Sequence, residues 1–272
     1  MQKKYSFIYL LIVGVVFMSC KKIIDIELEE GDRVLVVDAW FTTESKVHEI
    51  KLTQSTDFYD SEPIPQVSGA EVYITGGGET FYFTETAPGV YNSAPGVSAK
   101  MHTNYTLNIT YNGITYSASD YCDTVPVLDD MMPYPAYDDE GILVGYDLLI
   151  WTTELAGYGD YYAWRVLKNG QYESDTLSDI DFGSDDYIGD GLYFEAWPIS
   201  FIEELNSGDT VRLEQHNITK STYDAFMAVM LETEWRGGIF DAPPSNVPSN
   251  ISNGAMGHFT VSSVSTFDFI VP

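Results

Sequence analysis

The feature that most constrains the fold is a series of short alternating segments joined by turn residues. Asn112-Gly113 separates YTLNITY from ITYSAS, and Gly76-Gly77-Gly78 separates AEVYIT from TFYFT. Alternation of apolar and polar residues is the two-residue period of a β-strand, and an Asn-Gly pair between two such runs favours a tight hairpin turn. These stretches therefore predict antiparallel hairpins.

The first half of the chain contains seven such segments, and we expect strands in all of them. Their ranges are 33–41, 47–52, 70–75, 80–84, 90–93, 105–111 and 114–119. Several short strands with frequent turn signals are typical of a two-sheet sandwich. We therefore expect residues 32–124 to form an immunoglobulin-like β-sandwich domain.

The second half of the chain begins with a proline-rich, acidic stretch, VPVLDDMMPYPAYDDE, which we interpret as a linker over 125–141. Strand patterns resume at 146–152, 161–167, 171–175, 210–216, 258–264 and 266–271. One helix is predicted near 221–236, because apolar residues recur at three- and four-residue intervals from Tyr223 to Leu231. Residues 142–272 are therefore expected to form a second β-rich domain that carries one amphipathic helix.

The N-terminus has the pattern of an export signal. Lys3 and Lys4 precede an apolar run at 7–18, and VFMSC follows, ending at Cys20. The apolar run is short for a membrane span, so residues 1–19 are interpreted as a signal peptide. VFMSC resembles a bacterial lipoprotein box, which implies cleavage before Cys20 and attachment of acyl chains such as palmitate. Residues 20–31 would then be the lipidated cysteine and a tether. The alternative is an ordinary signal with a coincidental cysteine.

Charge and cysteine content limit the classes of function. The formal net charge is −28. Because nucleic acid is also negatively charged, this charge argues against a nucleic-acid-binding protein. With Cys20 lipidated, Cys122 is the one remaining thiol, and acids stand on both sides of it at Asp120 and Asp123. Acids disfavour the thiolate, so we expect Cys122 to be inert rather than catalytic. A Cys20–Cys122 disulfide would require that the cysteine is not lipidated.

Patterns that carry catalytic chemistry are missing from the sequence. Zinc-binding pairs such as His-Glu-x-x-His and the Gly-x-Ser-x-Gly elbow of serine hydrolases do not occur. Pairs of carboxylates are plentiful among 41 acidic residues, so they do not indicate a glycosidase. We expect no catalytic residues, and a glycoside or peptide hydrolase is the least favoured alternative.

An acidic stretch, SDTLSDIDFGSDDYIGDG, is a candidate calcium site. Asp179, Asp181, Asp185 and Asp186 could supply oxygen ligands to a hard cation. The spacing does not match the EF-hand loop, because a bidentate Glu is not placed after the glycine. The alternative is a solvated loop with no bound ion.

Five side chains are candidates for binding a ligand or partner. Trp197 and Trp235 lie outside the clearest strand patterns. Asn246, Asn250 and Asn253 lie in DAPPSNVPSNISNGAMGHF, where prolines fix φ and amides can cap backbone groups. The alternative for the asparagines is a rigid structural loop.

Several segments together resemble one family, the domain-of-unknown-function family 4249. These segments are IDIEL after Cys20, RVLVVDAWF, QVSGAEV, APGVY and PPSNVPSNISNGAMGHF. The resemblance covers the mature chain, and the last segment is its most specific part. The first domain is also similar to carboxypeptidase-regulatory sandwiches.

The resemblance implies a function in the cell envelope. Members are outer-membrane lipoproteins of Bacteroidota that accompany TonB-dependent, SusC-like receptors. It implies a lipid-anchored protein that captures a glycan or peptide ligand or docks onto such a receptor. The alternative is a cell-surface adhesin or structural envelope protein. Lys21-Lys22 follow Cys20 where surface-displayed lipoproteins often carry acids, so surface and periplasmic orientations both stay open.

Overall fold

The computed structural model describes residues 32–56, 62–173, 180–184, 189–234 and 247–272. Arg33–Pro272 form one compact unit. The predicted signal peptide, Cys20 and the tether lie outside the described residues. The first seven strands are β1 (Leu35–Thr42), β2 (Glu49–Gln54), β3 (Glu71–Gly76), β4 (Glu79–Ala87), β5 (Val90–Ser93), β6 (Thr103–Tyr111) and β7 (Ile114–Cys122).

The remaining elements alternate between two sheets. They are β8 (Leu128–Tyr137), β9 (Leu143–Thr153), β10 (Tyr161–Lys168), β11 (Gln171–Tyr172), β12 (Asp181–Ser184), β13 (Tyr193–Ile202), β14 (Thr210–Ile218), helix α1 (Lys220–Glu234) and β15 (Met256–Ile270). The large sheet has the order β11-β10-β14-β15-β1-β2-β5-β4-β3-β6-β7, and β12 also pairs with β10. The small sheet has the order β13-β9-β8.

Strand β1 lies near the middle of the large sheet because both of its edges are paired. It pairs with β2 in antiparallel and with β15 in parallel orientation. Val37, Ala39 and Phe41 point into the largest hydrophobic cluster, whereas Asp38 and Trp40 alternate onto the opposite face. This alternation gives the large sheet one apolar face and one face with polar side chains.

The path from β1 to β7 curls back on itself. Asp120 of β7 accepts a hydrogen bond from the Val261 N–H of β15 at 2.7 Å, and Ser252 Oγ accepts one from the Ser117 N–H at 2.8 Å. The curl encloses the first cluster, whose largest buried side chains include Phe41, Tyr105 and Phe259.

The small sheet packs its inner face on the C-terminal part of the large sheet. Met131 of β8, Leu148 of β9 and Ile202 of β13 are buried there against side chains such as Leu213 of β14. Helix α1 packs on the polar face of the large sheet, where Phe226 lies in a third cluster with Ile218.

The mainly β prediction with one helix is confirmed for the described residues. The immunoglobulin-like assignment is not confirmed and stays a prediction. Strands β1–β7 share a continuous sheet with strands of the C-terminal half. The expected linker at 125–141 contains β8, and the two predicted strands at 258–271 are one long strand, β15. In the part of the chain that the structure describes, no helix is long and apolar enough to span a membrane.

Candidate functional site

The outer face of the small sheet is the most distinctive surface of the described residues. We define the outer face as Met132 and Tyr134 of β8, Leu149 of β9, and Pro198 and Phe201 of β13. Met132, Tyr134 and Phe201 are 43%, 58% and 46% exposed. Soluble proteins rarely expose contiguous apolar side chains of this size unless the surface has a function.

Strand register brings these side chains together across three strands. Leu149 lies opposite both Met132 and Pro198, and Asp147 lies opposite both Tyr134 and Phe201. Directly opposed residues on one face of an antiparallel sheet have adjacent side chains. The outer face is therefore one continuous surface, and its second row carries one carboxylate between two aromatic rings.

Gly145 positions one of these rings. A Cβ built at this glycine would come within 2.2 Å of Phe201 Cζ, so the Phe201 ring lies directly against the backbone of β9. The contact limits the rotamers of Phe201 although its side chain is half-exposed. A fixed aromatic side chain loses little conformational entropy when a partner covers it.

The β8–β9 hairpin extends the apolar surface at one end of the sheet. The exposed large side chains of this hairpin are Tyr137, Ile142, Leu143 and Val144. Exposed Tyr193 lies at the start of β13. Aromatic residues and Met are enriched at the centres of protein–protein interfaces.

The strands and hairpin of the small sheet carry acidic side chains and no basic ones. The sequence has no Lys or Arg between Lys100 and Arg165 or between Lys168 and Arg212, and these gaps contain the entire small sheet. The exposed acids of its strands and hairpin are Asp129, Asp130, Asp138, Asp139, Glu140 and Glu195. The outer face is therefore an apolar surface with an acidic rim.

Prolines protect both edges of the small sheet. Pro133 and Pro135 lie in edge strand β8, and Pro198 lies in edge strand β13. Proline lacks a backbone donor and is found at sheet edges, where it discourages pairing with a further strand. A partner of this sheet is therefore expected to contact its side chains rather than extend it.

Trp197, a predicted binding residue, lies in β13 and precedes Pro198 of the outer face. A register shift separates it from Phe194, and Ala196 between them has φ 55°. The Trp197 ring centroid is 5.4 Å from that of Phe194, and 42% of the residue is exposed. Trp197 lies opposite buried Ile150 and lines a small cavity with it, so it belongs to the inner side of the small sheet rather than to the outer face. Trp235 lies outside the described residues.

Asn250 and Asn253, also predicted to bind, use their amides within the chain. Asn250 Nδ2 donates to the Phe259 carbonyl at 2.8 Å, and Asn253 Nδ2 donates to the Thr115 carbonyl at 2.6 Å. Their geometry agrees with the structural alternative for this loop. Asn246 lies outside the described residues.

The calcium candidate is described for only one of its four acids. Asp181 lies in β12 opposite Trp164 of β10, and burial raises the pKa of its carboxyl group. Asp179, Asp185 and Asp186 lie outside the described residues. Within the described ranges, no three His, Cys, Asp or Glu side chains are grouped so that they could hold a metal ion.

The sequence did not indicate the outer face. Leu149 lies in the predicted strand at 146–152, but the other residues lie in β8, within the expected linker, and in β13, for which the sequence predicts no strand. The prolines at 133 and 135 favour a connection in the sequence, whereas in the structure they lie in an edge strand. A usable signal was the absence of basic residues around a stretch rich in Met, Tyr and Phe.

These features define a mainly β protein whose small second sheet presents an apolar, acid-rimmed surface. The family model described as "Domain of unknown function (DUF4249)" matches residues 21–268, so the chain belongs to this family. No curated protein matches the chain.

Proposed function

We propose that this protein is a lipid-anchored outer-membrane protein that acts by binding, as an accessory to a TonB-dependent, SusC-like receptor. Cys20 in its lipoprotein-box context supports the lipid anchor, and the resemblance of the sequence to Bacteroidota envelope lipoproteins supports the location and the partner. The proposed function requires no bond-breaking step.

The observation that carries the proposal is the outer face of the small sheet. Burial of apolar surface drives most protein association, and the outer face offers Met132, Tyr134 and Phe201 in adjacent positions. The Phe201 ring is held in place by its contact with the backbone of Gly145. We therefore assign receptor docking to this surface.

The acidic rim defines the chemistry of the partner. A complementary receptor surface would have apolar side chains at its centre and Lys or Arg around them. Opposite charges at a rim accelerate association and fix orientation more than they add affinity. Because rim charges are screened by salt, complex formation should slow as ionic strength rises, while the apolar contact keeps the complex intact.

Purification from native membranes in mild detergent tests the proposal. The test variant combines Met132→Ser with Tyr134→Ser. The matched control combines Ile64→Ser with Tyr82→Ser, which removes two side chains of similar exposure, 58% and 66%, far from the small sheet in sequence. We expect a TonB-dependent receptor to co-purify with the wild type and the control, and the test variant to lose it.

Two results would contradict the proposal. A wild-type lipoprotein that elutes alone, under conditions that keep such receptors intact, would remove the receptor partner. Equal co-purification with the test variant, when circular dichroism shows all three proteins folded, would remove the outer face as the docking surface.

A further inference from the structure

A groove of about 390 Å³ lies on the polar face of the large sheet. Side chains from four strands line it, among them Asp38 and Trp40 of β1, Lys51 of β2, Arg165 of β10 and Tyr172 of β11. Small-molecule sites have volumes of this order and combine aromatic walls with a few polar groups.

Arg165 is stacked between two aromatic rings in this groove. Its Cζ atom lies 3.6 Å from the centroid of the Tyr172 ring and 5.2 Å from that of Trp40. Such stacking holds the planar guanidinium in one orientation and leaves its edge for hydrogen bonding.

The rings that hold Arg165 are themselves fixed. Trp40 Nε1–H donates to Ser262 Oγ at 2.8 Å, and the Tyr172 hydroxyl donates to Glu214 Oε2 at 3.1 Å. Trp40 also contacts the His216 ring, with centroids 4.7 Å apart. A guanidinium that is ordered before binding loses less entropy when a ligand arrives.

Among the described residues, Arg165 has no carboxylate in ion-pair contact, although a partly buried guanidinium usually has one. Its Nε is buried without a hydrogen-bond partner, and no ion pair between described residues involves Arg165. The neighbouring cations differ, since Lys46 pairs with Glu44 and Lys51 pairs with Glu49. The carboxylates of Asp38 and Glu214 attract Arg165 without an ion-pair contact, and its Nε–H has no hydrogen-bond acceptor among the described residues.

We propose that this groove binds a small acidic sugar, with the ligand carboxylate on Arg165. A guanidinium presents a planar fork that matches a carboxylate with two parallel hydrogen bonds. Asp38, which is exposed, and Lys51 line the same groove and can bind hydroxyl groups. Trp40, which is partly exposed, lines the groove and offers an aromatic surface for the sugar ring.

The binding site and the docking surface proposed above approach each other at Arg165, which lines both the groove and a second cavity that Phe201 also lines. The groove lies on the face of the large sheet that carries α1, whereas the small sheet covers strands such as β14 from the opposite side. The docking variant replaces Met132 and Tyr134, which line neither cavity, so loss of ligand binding and loss of receptor binding are distinguishable with different variants.

Titration calorimetry of the full-length lipoprotein in mild detergent tests the proposal, with sodium glucuronate as the probe. Glucose has the same ring without the carboxylate, and benzoate has a carboxylate on a ring without hydroxyl groups. We expect binding of glucuronate in the millimolar range or tighter, and affinities at least about tenfold weaker for glucose and benzoate, a factor that corresponds to 1.4 kcal/mol.

Arg165→Lys is the diagnostic variant because it keeps the positive charge and removes the planar fork. We expect it to weaken glucuronate binding at least about tenfold, which corresponds to a loss of about 1.4 kcal/mol of binding free energy. Arg212→Lys is the matched control, since the half-buried Arg212 is paired with Asp268 in β15 and does not line the groove, and it should bind glucuronate as the wild type does.

Three results would overturn the proposal. They are an absence of heat with glucuronate at high millimolar concentration, equal binding of glucose or benzoate, and unchanged affinity in Arg165→Lys. The melting temperature of each variant without ligand separates a lost site from a lost fold. If Arg165→Lys does not fold, Lys51→Gln replaces it, and unchanged glucuronate affinity in that variant counts against the groove.

Discussion

The side chain of Asn250 pairs with the backbone of Phe259 as a neighbouring strand would. Asn250 Nδ2 donates to the Phe259 carbonyl at 2.8 Å, and the Phe259 N–H donates to Asn250 Oδ1 at 3.0 Å. The first half of β15 has β1 on one edge, whereas β14 pairs only with 263–270. The amide therefore supplies the hydrogen bonds of the Phe259 backbone on the edge of β15 where β14 does not reach.

Replacement of this amide should destabilise the fold. In Asn250→Ala, both backbone groups of Phe259 lose their partner, and a buried polar group without a partner costs roughly 1–3 kcal/mol. We expect the free energy of unfolding to fall by this amount in urea titrations followed by circular dichroism.

Asn104→Ala serves as the control for Asn250→Ala. Asn104 is exposed in β6, where a surface substitution changes stability by less than about 0.5 kcal/mol. Equal unfolding midpoints for the two variants would show that the Asn250 amide is not a structural replacement for a strand.

Gly257 allows β15 to approach β1. It has φ 89°, it pairs with Val37, and a Cβ built on it would lie 1.9 Å from the Val37 carbonyl oxygen. In Gly257→Ala the clash is with backbone, which cannot rotate away. We expect a loss of about 3 kcal/mol or more, measured by denaturant unfolding, because the positive φ alone costs about 1–2 kcal/mol.

Gly254→Ala isolates the steric part of this effect. Gly254 also has positive φ, 73°, but a Cβ there would meet no atom within 4 Å. We expect only the conformational cost of roughly 1–2 kcal/mol. If both alanine variants lose the same stability, the close approach of β1 and β15 is not the reason that residue 257 is glycine.

Local patterns predicted the hairpins and the helix, because both depend on neighbouring residues. The turn at Asn112-Gly113 joins β6 to β7, and Asn112 has the expected positive φ, 50°. The parallel pairing of β1 with β15 joins segments about two hundred residues apart, and no local pattern encodes it. That pairing makes one continuous sheet from the two domains expected from the sequence.

The candidate sites could not be predicted from the sequence, because their residues also come from strands that are distant in the chain. Trp197, a predicted binding residue, lies opposite Ile150 on the inner side of the small sheet. The outer face itself depends on register among β8, β9 and β13, and the groove at Arg165 depends on strands β1, β2, β10 and β11. Residues that meet across such distances in sequence cannot be grouped by spacing alone.

Cys122 should be chemically inert in the folded protein. It is fully buried, and burial, with smaller contributions from Asp120 and Asp123, raises the pKa of its thiol to about 12. The reactive thiolate is therefore scarce at pH 8. We expect no labelling by a chromogenic disulfide reagent until urea unfolds the chain.

A cysteine at position 119 provides the comparison for Cys122. Ser119 is exposed three residues earlier in the same strand, so Ser119→Cys should be labelled in the native state at the rate of an accessible thiol. Native labelling of Cys122 at a similar rate would contradict the burial of its side chain.

Asp120 should make the stability of the protein decrease as pH rises through the acidic range. It accepts hydrogen bonds from the Val261 N–H and the Thr219 hydroxyl, yet burial raises the pKa of its carboxyl group to about 6 from 3.8. The folded state therefore binds this proton more tightly than the unfolded state, and stability falls as pH rises between these values. The pKa difference corresponds to about 3 kcal/mol between pH 3 and pH 7.

The Asp120→Asn variant isolates this effect from the other titrating groups, which include the buried histidines. An asparagine keeps an acceptor for the Val261 N–H and does not titrate. Urea unfolding at several pH values should therefore show the stability of the wild type falling relative to the variant by about 3 kcal/mol as pH rises from 3 to 7. A constant difference between the two proteins over this range would mean that the Asp120 carboxyl group titrates normally in the folded state.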